Sequence, residues 1–173
     1  GGVYVAIGDV YGVSKNHLNA MLYYRKAIAT LRQSNATKED SLWLATAITN
    51  AGDEFLNNKI FDSALIYFNE SGQISDNLKN ETGKAYNLGN IGMVYANIGD
   101  KILAEKNINE AIIILKELED YYPICVYLIS MADIYLERGD QDASLDYAQR
   151  SLQLAKQYEL KEQISAANLK LSE

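Results

Sequence analysis

The sequence predicts an all-α protein built as an α-solenoid, a row of antiparallel helix pairs. Three observations predict it. One residue pattern returns along the chain at a period of about 40 residues, and self-similarity at such periods marks arrays whose units bury their apolar faces only against one another. The 173 residues hold one proline and are 48% hydrophobic, with no long turn-rich stretch, which suits helices throughout. Asp40, Asn80 and Asp120 stand at equal places before each expected first helix. There a side-chain oxygen accepts from the orphan N–H groups of a helix start.

The clearest unit runs from Ala85 to Leu118. Counting Ala85 as position 1, Leu88, Ile91, Gly92, Tyr95, Ala104, Ile108 and Ala111 fall at positions 4, 7, 8, 11, 20, 24 and 27. Forty residues earlier the same positions hold Ile48, Ala51, Gly52, Phe55, Ala64, Phe68 and Ser71; forty later they hold Leu128, Met131, Ala132, Tyr135, Ser144, Ala148 and Ser151. The first copy, 44 residues before the second, reads Tyr4, Ile7, Gly8, Tyr11, Ala20, Tyr24 and Ala27. Small residues alternate with large ones because two helices must approach closely at Gly52, Gly92 and Ala132. A larger side chain there would cost about 1–3 kcal/mol by overpacking.

This spacing resembles the tetratricopeptide repeat, whose pattern has small residues at positions 8, 20 and 27 and large ones at 4, 7, 11 and 24. The resemblance covers the chain as one domain, 1–173, with repeats at about 1–34, 45–78, 85–118 and 125–158 and the start of a fifth at 161–173. It implies a right-handed superhelix.

Taken in order, the first repeat turns at Gly12–Asn16, and the polar stretch 33–40 is expected to be a surface linker. First helices follow near 41–57, 81–97 and 121–137, and second helices near 60–77, 100–118 and 140–158. Pro123 suits a first turn, where a missing N–H costs nothing. Gly99 and Gly139 end first helices in a left-handed conformation, and Asp100 and Asp140 cap the next ones. The fifth unit offers Ile164 and Leu171 with no second helix to cover them, so the end is expected to fray after about Lys161 or to meet another copy. The Gly1-Gly2 start reads as an expression remnant, and the chain as a piece of a longer protein.

Composition excludes several functions. Net charge is −7 with no basic stripe, which argues against nucleic acid and anionic membranes as partners. Cys125 is the only cysteine, so no intrachain disulfide forms, and its apolar setting suits a buried small hydrophobe rather than a nucleophile. His17 is the only histidine; at the first inter-helix turn it reads as a capping or surface residue, and alone it makes no two-histidine metal site. Of 13 tyrosines, Tyr4, Tyr11, Tyr24, Tyr95 and Tyr135 fill repeat positions, so packing accounts for them first. No catalytic constellation, cofactor motif or metal cluster stands out.

At about 100° per residue, positions 4, 7, 8 and 11 share one helix face, and positions 2, 5, 6, 9, 12 and 13 lie nearly opposite. The resemblance implies that this second face lines a peptide-binding groove. Position 6 reads Ala6, Asn50, Asn90, Ser130; position 9 reads Asp9, Asp53, Met93, Asp133; position 13 reads Val13, Asn57, Asn97, Glu137. Thr46, Tyr86 and Val126 hold position 2, while Thr49, Leu56, Ile129 and Leu136 add to positions 5 and 12. The candidate site is therefore Asp9, Asn50, Asp53, Asn57, Tyr86, Asn90, Met93, Asn97, Ile129, Ser130, Asp133, Leu136 and Glu137, acidic and amide-rich with an apolar patch. Asn50 and Asn90 are expected to pair with a peptide backbone, since an amide carries donor and acceptor on one arm. The repeats that clamp chaperone C-termini need Lys and Arg in these positions, where this chain has only Lys170, so the partner is expected to be a peptide or protein segment that is not acidic.

The long repeat and the stretch Tyr158–Glu173 are similar to repeat regions of bacterial sensor histidine kinases and LuxR-type regulators. That implies a non-catalytic sensory or interaction region of a signalling protein, periplasmic if a sensor region and cytoplasmic otherwise. Two further expectations stand beside it: a cytoplasmic regulator of the peptide-pheromone type, whose relatives include phosphatases, and a scaffold that self-associates through its end faces as a homo-oligomer.

Overall fold

Left-handed backbone positions punctuate the chain at equal intervals. In the computed structural model, which describes residues 1–33 and 37–172, Lys59, Lys79, Gly99, Glu119, Gly139 and Glu159 have φ between 54° and 94°, and Lys15 has 57°. At each, the next backbone N–H reaches back five residues in the bond of a Schellman motif: Ile60 to Phe55, Asn80 to Ser75, Asp100 to Tyr95, Asp120 to Leu115, Asp140 to Tyr135 and Leu160 to Ala155, all at 2.8–2.9 Å. Each 40-residue unit is thus two 20-residue halves.

Nine helices result among the described residues, with no strand: α1 (Gly2–Val13), α2 (His17–Gln33), α3 (Lys38–Asn57), α4 (Phe61–Asn77), α5 (Glu81–Ile98), α6 (Lys101–Glu117), α7 (Tyr121–Glu137), α8 (Gln141–Gln157) and α9 (Lys161–Leu171). From α3 onward the connections are two or three residues, so the length beyond a 34-residue repeat lies in the helices.

Four of those six evenly spaced left-handed residues are lysine or glutamate. The conformation costs an L-residue roughly 1–2 kcal/mol, and glycine's greater freedom in the unfolded chain returns part of it. Changing Lys59, Lys79, Glu119 and Glu159 together to glycine is expected to raise stability by about 2–4 kcal/mol, read by denaturant titration. A glycine at Glu110, exposed in the interior of α6, should lower it.

Asn80, Asp100 and Asp140 cap their helices, accepting from Gly83, Leu103 and Ala143 N–H at 3.2, 3.0 and 3.1 Å. Two expected caps differ. Asp120 stands at the start of α7 but makes no capping bond; it accepts from the Tyr86 hydroxyl at 3.4 Å. Asp40 is not the cap of α3. Thr37 is, and its hydroxyl accepts from Asp40 N–H at 3.0 Å while Asp40 accepts from Thr37 N–H at 3.4 Å, a reciprocal box that starts the helix three residues earlier. The expected linker 33–40 accordingly belongs to α2 at Gln33 and to α3 from Lys38, and its middle, 34–36, lies outside the described residues.

Within each pair the small positions face large partners. A Cβ on Gly52 would lie 2.6 Å from the Phe68 ring, and one on Gly92 2.7 Å from Ile108. The last full pair holds Ala132 and Ala148, both buried, so the larger residue on one helix is matched by a smaller one on the other. Serines at position 27 tie the pair together: Ser71 donates to Ala45 C=O at 2.9 Å and Ser151 to Cys125 C=O at 3.2 Å. The core runs from Val5, Tyr24 and Ile48 through Phe68 and Val94 to Ile108, Leu115, Met131 and Tyr135. The chain is helical past Lys161. α9 continues to Leu171, which packs on that core, with Ala167 fully buried.

Candidate functional site

First helices α1, α3, α5, α7 and α9 each touch the next, and polar side chains stitch them at their second face. Asn50 Nδ2 donates to Asp9 Oδ1 at 2.7 Å and Asn90 Nδ2 to Asp53 Oδ1 at 2.8 Å. Lys170 Nζ lies 2.6 Å from Asp133 Oδ1. Each contact joins position 9 of one unit to position 6 of the next. At the remaining junction those positions hold Met93 and Ser130.

This changes the expected role of the asparagines. Asn90 is buried, and its oxygen also accepts from the Tyr127 hydroxyl at 3.3 Å, so both ends of the amide serve the stack. Asn50 gives one of its two amide hydrogens to Asp9, which also accepts from the Tyr24 hydroxyl at 2.9 Å.

Below the break in this ladder lies a cavity of about 580 Å³ between the middle of α3 and the N-terminal parts of α5 and α7, with Ser71 and Ser75 of α4 also in its lining. Tyr86, Met93, Tyr122, Pro123, Val126 and Tyr127 supply apolar surface, and Thr46, Thr49, Asn50 and Asp53 supply polar groups. Gly89 makes the shape possible. The Tyr127 ring lies where a Cβ on Gly89 would be, so the ring crosses α5 and its hydroxyl donates to Tyr86 C=O at 3.1 Å. Behind it, buried Asn87 donates to Ser71 Oγ at 3.1 Å and accepts from Thr49 at 3.2 Å.

Asp53 is the charged group at the mouth. Burial and then the neighbouring charge of Glu54 push its carboxyl up to about 7. Burial also raises Tyr127 well above its ordinary value, with the Asp53 charge next, and raises Tyr86, with Asp120 next. Both tyrosines therefore stay neutral donors at neutral pH.

Of the candidate residues, Asn50, Asp53, Tyr86, Asn90 and Met93 come together around this cavity. Asp9 lies on α1, one repeat away, and Ile129, Ser130 and Asp133 lie on α7 past the residues that line the cavity. Asn57, Asn97, Leu136 and Glu137 lie past it toward the helix ends, and Asn97 bonds its own helix at Met93 C=O, 2.9 Å. Tyr122, Pro123 and Tyr127 were not expected there. The available signal was Gly89 at position 5 with Tyr127 at position 3 of the next unit.

Other singled-out residues are structural. His17 sits partly exposed at the surface, as expected, and is not idle: its Nδ1 lies 2.6 Å from Oε2 of buried Glu54, tying α2 to α3. Cys125 is fully buried, and burial raises its thiol above the ordinary value, which removes it as a nucleophile. Among the described residues no group of three His, Cys, Asp or Glu is placed to hold a metal, and no helix is long and apolar enough to cross a membrane.

Models of the tetratricopeptide repeat match residues 81–157 and 2–30. No curated protein matches the sequence. Among solved structures, aspartyl phosphate phosphatase F from Bacillus subtilis is similar at TM-score 0.81 and 16% identity, over 98% of this chain and 43% of that one. The apo form of RapI is similar at 0.78 and 18%, over 95% and 58%. The Rap conjugation gene regulator of plasmid pLS20, in complex with the Phr* peptide, is similar at 0.74 and 14%, over 87% and 41%. The chain thus spans about half the length of these proteins, and identities this low speak for the fold alone. Fold and repeat matches together make this chain a solenoid that carries tetratricopeptide repeats.

Proposed function

We propose that residues 1–173 act as one non-catalytic module that binds a peptide or protein segment across the second face of its first helices. The observation that carries this reading is the cavity between α3, α5 and α7, large enough for one or two side chains and walled by aromatic and aliphatic groups with polar groups at its mouth. Where the Asp–Asn ladder is replaced by Met93 and Ser130, the surface offers a pliable apolar side chain instead of a closed polar pair. Asp53 disfavours an acidic ligand and favours one with Lys or Arg beside its apolar anchor.

The module would serve as the sensory or interaction region of a larger bacterial signalling protein, a histidine kinase or transcriptional regulator; the stretch 158–173 supports that placement. A second reading is a regulator of the peptide-pheromone type, and it is favoured by the likeness to RapI and to the regulator that holds the Phr* peptide. A role in self-association through the end faces is the third.

The test is to select a peptide by display and measure its binding to Val126→Arg by calorimetry. Val126 is partly exposed on the cavity wall, so the arginine should fill the mouth without entering the core. Affinity is expected to fall by at least about tenfold, or about 1.4 kcal/mol. Unchanged affinity in a folded variant would mean that the ligand lies elsewhere.

A further inference from the structure

A second cavity, of about 240 Å³, lies at the other end of the first helices, between the turn that follows α5 and the turn that follows α7. It is independent of the reading above. Ala96, Gly99, Lys101, Tyr135, Arg138 and Asp140 line it. Tyr135 is 4% exposed, yet its buried hydroxyl has no hydrogen-bond partner among the described residues. A buried donor left so is costly and asks for an explanation. The ring cannot simply turn away: Tyr147 stacks on it at 5.5 Å and 3°, and Lys101 Nζ lies 5.3 Å from its centroid.

Two cations converge at the same place. The Arg138 guanidinium sits where a side chain on Gly99 would be, and it spends one bond on Asn97 C=O at 3.3 Å. A guanidinium has five donors in a fork, so others remain to be directed into the cavity. Lys101 Nζ lies 3.6 Å from Asp140 Oδ2, while Asp140 Oδ1 caps α8. The stack itself does not require these groups. One unit earlier the places of Lys101 and Arg138 hold Phe61 and Ile98.

We propose that this cavity binds a carboxylate, with the Arg138 guanidinium and the Lys101 ammonium facing its charge and the Tyr135 hydroxyl donating to one oxygen. Two cations against Asp140 leave one net positive charge, which matches a singly charged group better than a phosphate dianion. Glu105 lies just behind, at 3.5 Å from the Tyr147 hydroxyl and outside the lining, and further disfavours a dianion. Burial, then the charges of Glu105 and Asp140, raise the Tyr135 hydroxyl above its ordinary value against the opposing effect of Arg138, so it remains a donor at neutral pH. The carboxylate has two natural sources, an Asp or Glu side chain and a peptide C-terminus.

The test is titration of the isotope-labelled chain, followed through the amides of Gly99, Lys101 and Gly139, against sodium chloride at equal ionic strength. The probes are acetate, inorganic phosphate, an end-blocked tripeptide with one Asp, and an N-acetylated tripeptide with a free C-terminus and no acidic side chain. Acetate and at least one tripeptide are expected to saturate in the range of about 1–20 mM, and the tripeptide that does so names the source. Tyr135→Phe, which keeps the ring, should weaken acetate by about fivefold or more, and Arg138→Gln should remove saturation. Linear acetate shifts, saturation by phosphate but not acetate, or equal affinity in both variants would each overturn the proposal.

Discussion

Gly92→Leu is expected to lower the melting temperature by about 3–10 °C, whereas Lys106→Ala should leave it nearly unchanged. Gly92 lies where α5 meets α6. A Cβ there would sit 2.7 Å from Ile108 Cγ1 and 3.1 Å from the Ala104 carbonyl oxygen. The first can yield by changing rotamer; the second is backbone and can yield only if the helices part. Leucine adds three carbons beyond that Cβ, and the pair is held on both sides by neighbouring pairs, so the strain has no free surface to escape to. Lys106 is exposed on α6 and touches none of this. The last full pair suggests a rescue, because Ala132 there accompanies Ala148 in place of a glycine with a large partner. Gly92→Ala combined with Ile108→Ala should therefore cost less than the sum of the two single changes, a coupling that a double-mutant cycle measures. Equal melting temperatures for Gly92→Leu and Lys106→Ala would refute the assignment of these positions.

Asp53 should make the protein less stable as pH rises from about 4 to about 7. Its folded carboxyl is pushed up to about 7 from the ordinary 3.8 by burial and by Glu54. Between those values the folded state holds a proton that the unfolded state has lost, so stability falls with rising pH and the full cost is present above pH 7. Asp53 is only partly buried, and the Asn90 amide supports its charged form. Solvent screening then reduces the cost to about 1–2 kcal/mol. Asp53→Asn keeps an oxygen for the Asn90 amide and removes the charge. It should be more stable than the parent at pH 8, about equal at pH 4, and should flatten this part of the pH profile in urea titrations. A cationic ligand at the mouth would favour the charged carboxylate, so peptide binding should release protons at pH 6–7. No change in profile on substitution would show that Asp53 ionises as an ordinary surface carboxylate.

The helices were legible because their signals are local. Asp100 and Asp140 cap where expected, and Gly99 and Gly139 take the left-handed conformation that a glycine permits. The same conformation at Lys59, Lys79, Glu119 and Glu159 was not legible, since those side chains carry no such preference and the stack imposes it on them. Asp40 was misplaced because alignment with Asn80 and Asp120 outweighed the local Thr37-to-Asp40 box. At the candidate site, helix geometry puts positions 6 and 9 on one face, and Asn50, Asp53, Asn90 and Met93 are there. Sequence spacing within a helix could not say that these residues face one another across neighbouring units, and so missed that Asn50 and Asn90 are occupied by Asp9 and Asp53. Nor could it locate the cavity along the helices. That depends on the Tyr127 ring crossing α5 at Gly89, a contact between residues 38 apart in sequence.

The most direct measurement of the central claim is amide shift mapping with a display-selected peptide bound to the isotope-labelled chain. The largest changes are expected on α3, α5 and α7 at Asn50, Asp53, Tyr86, Met93, Val126 and Tyr127, with α4, α6 and α8 little affected on their outer faces. Changes centred instead on those second helices, with Met93 and Val126 unmoved, would contradict the account.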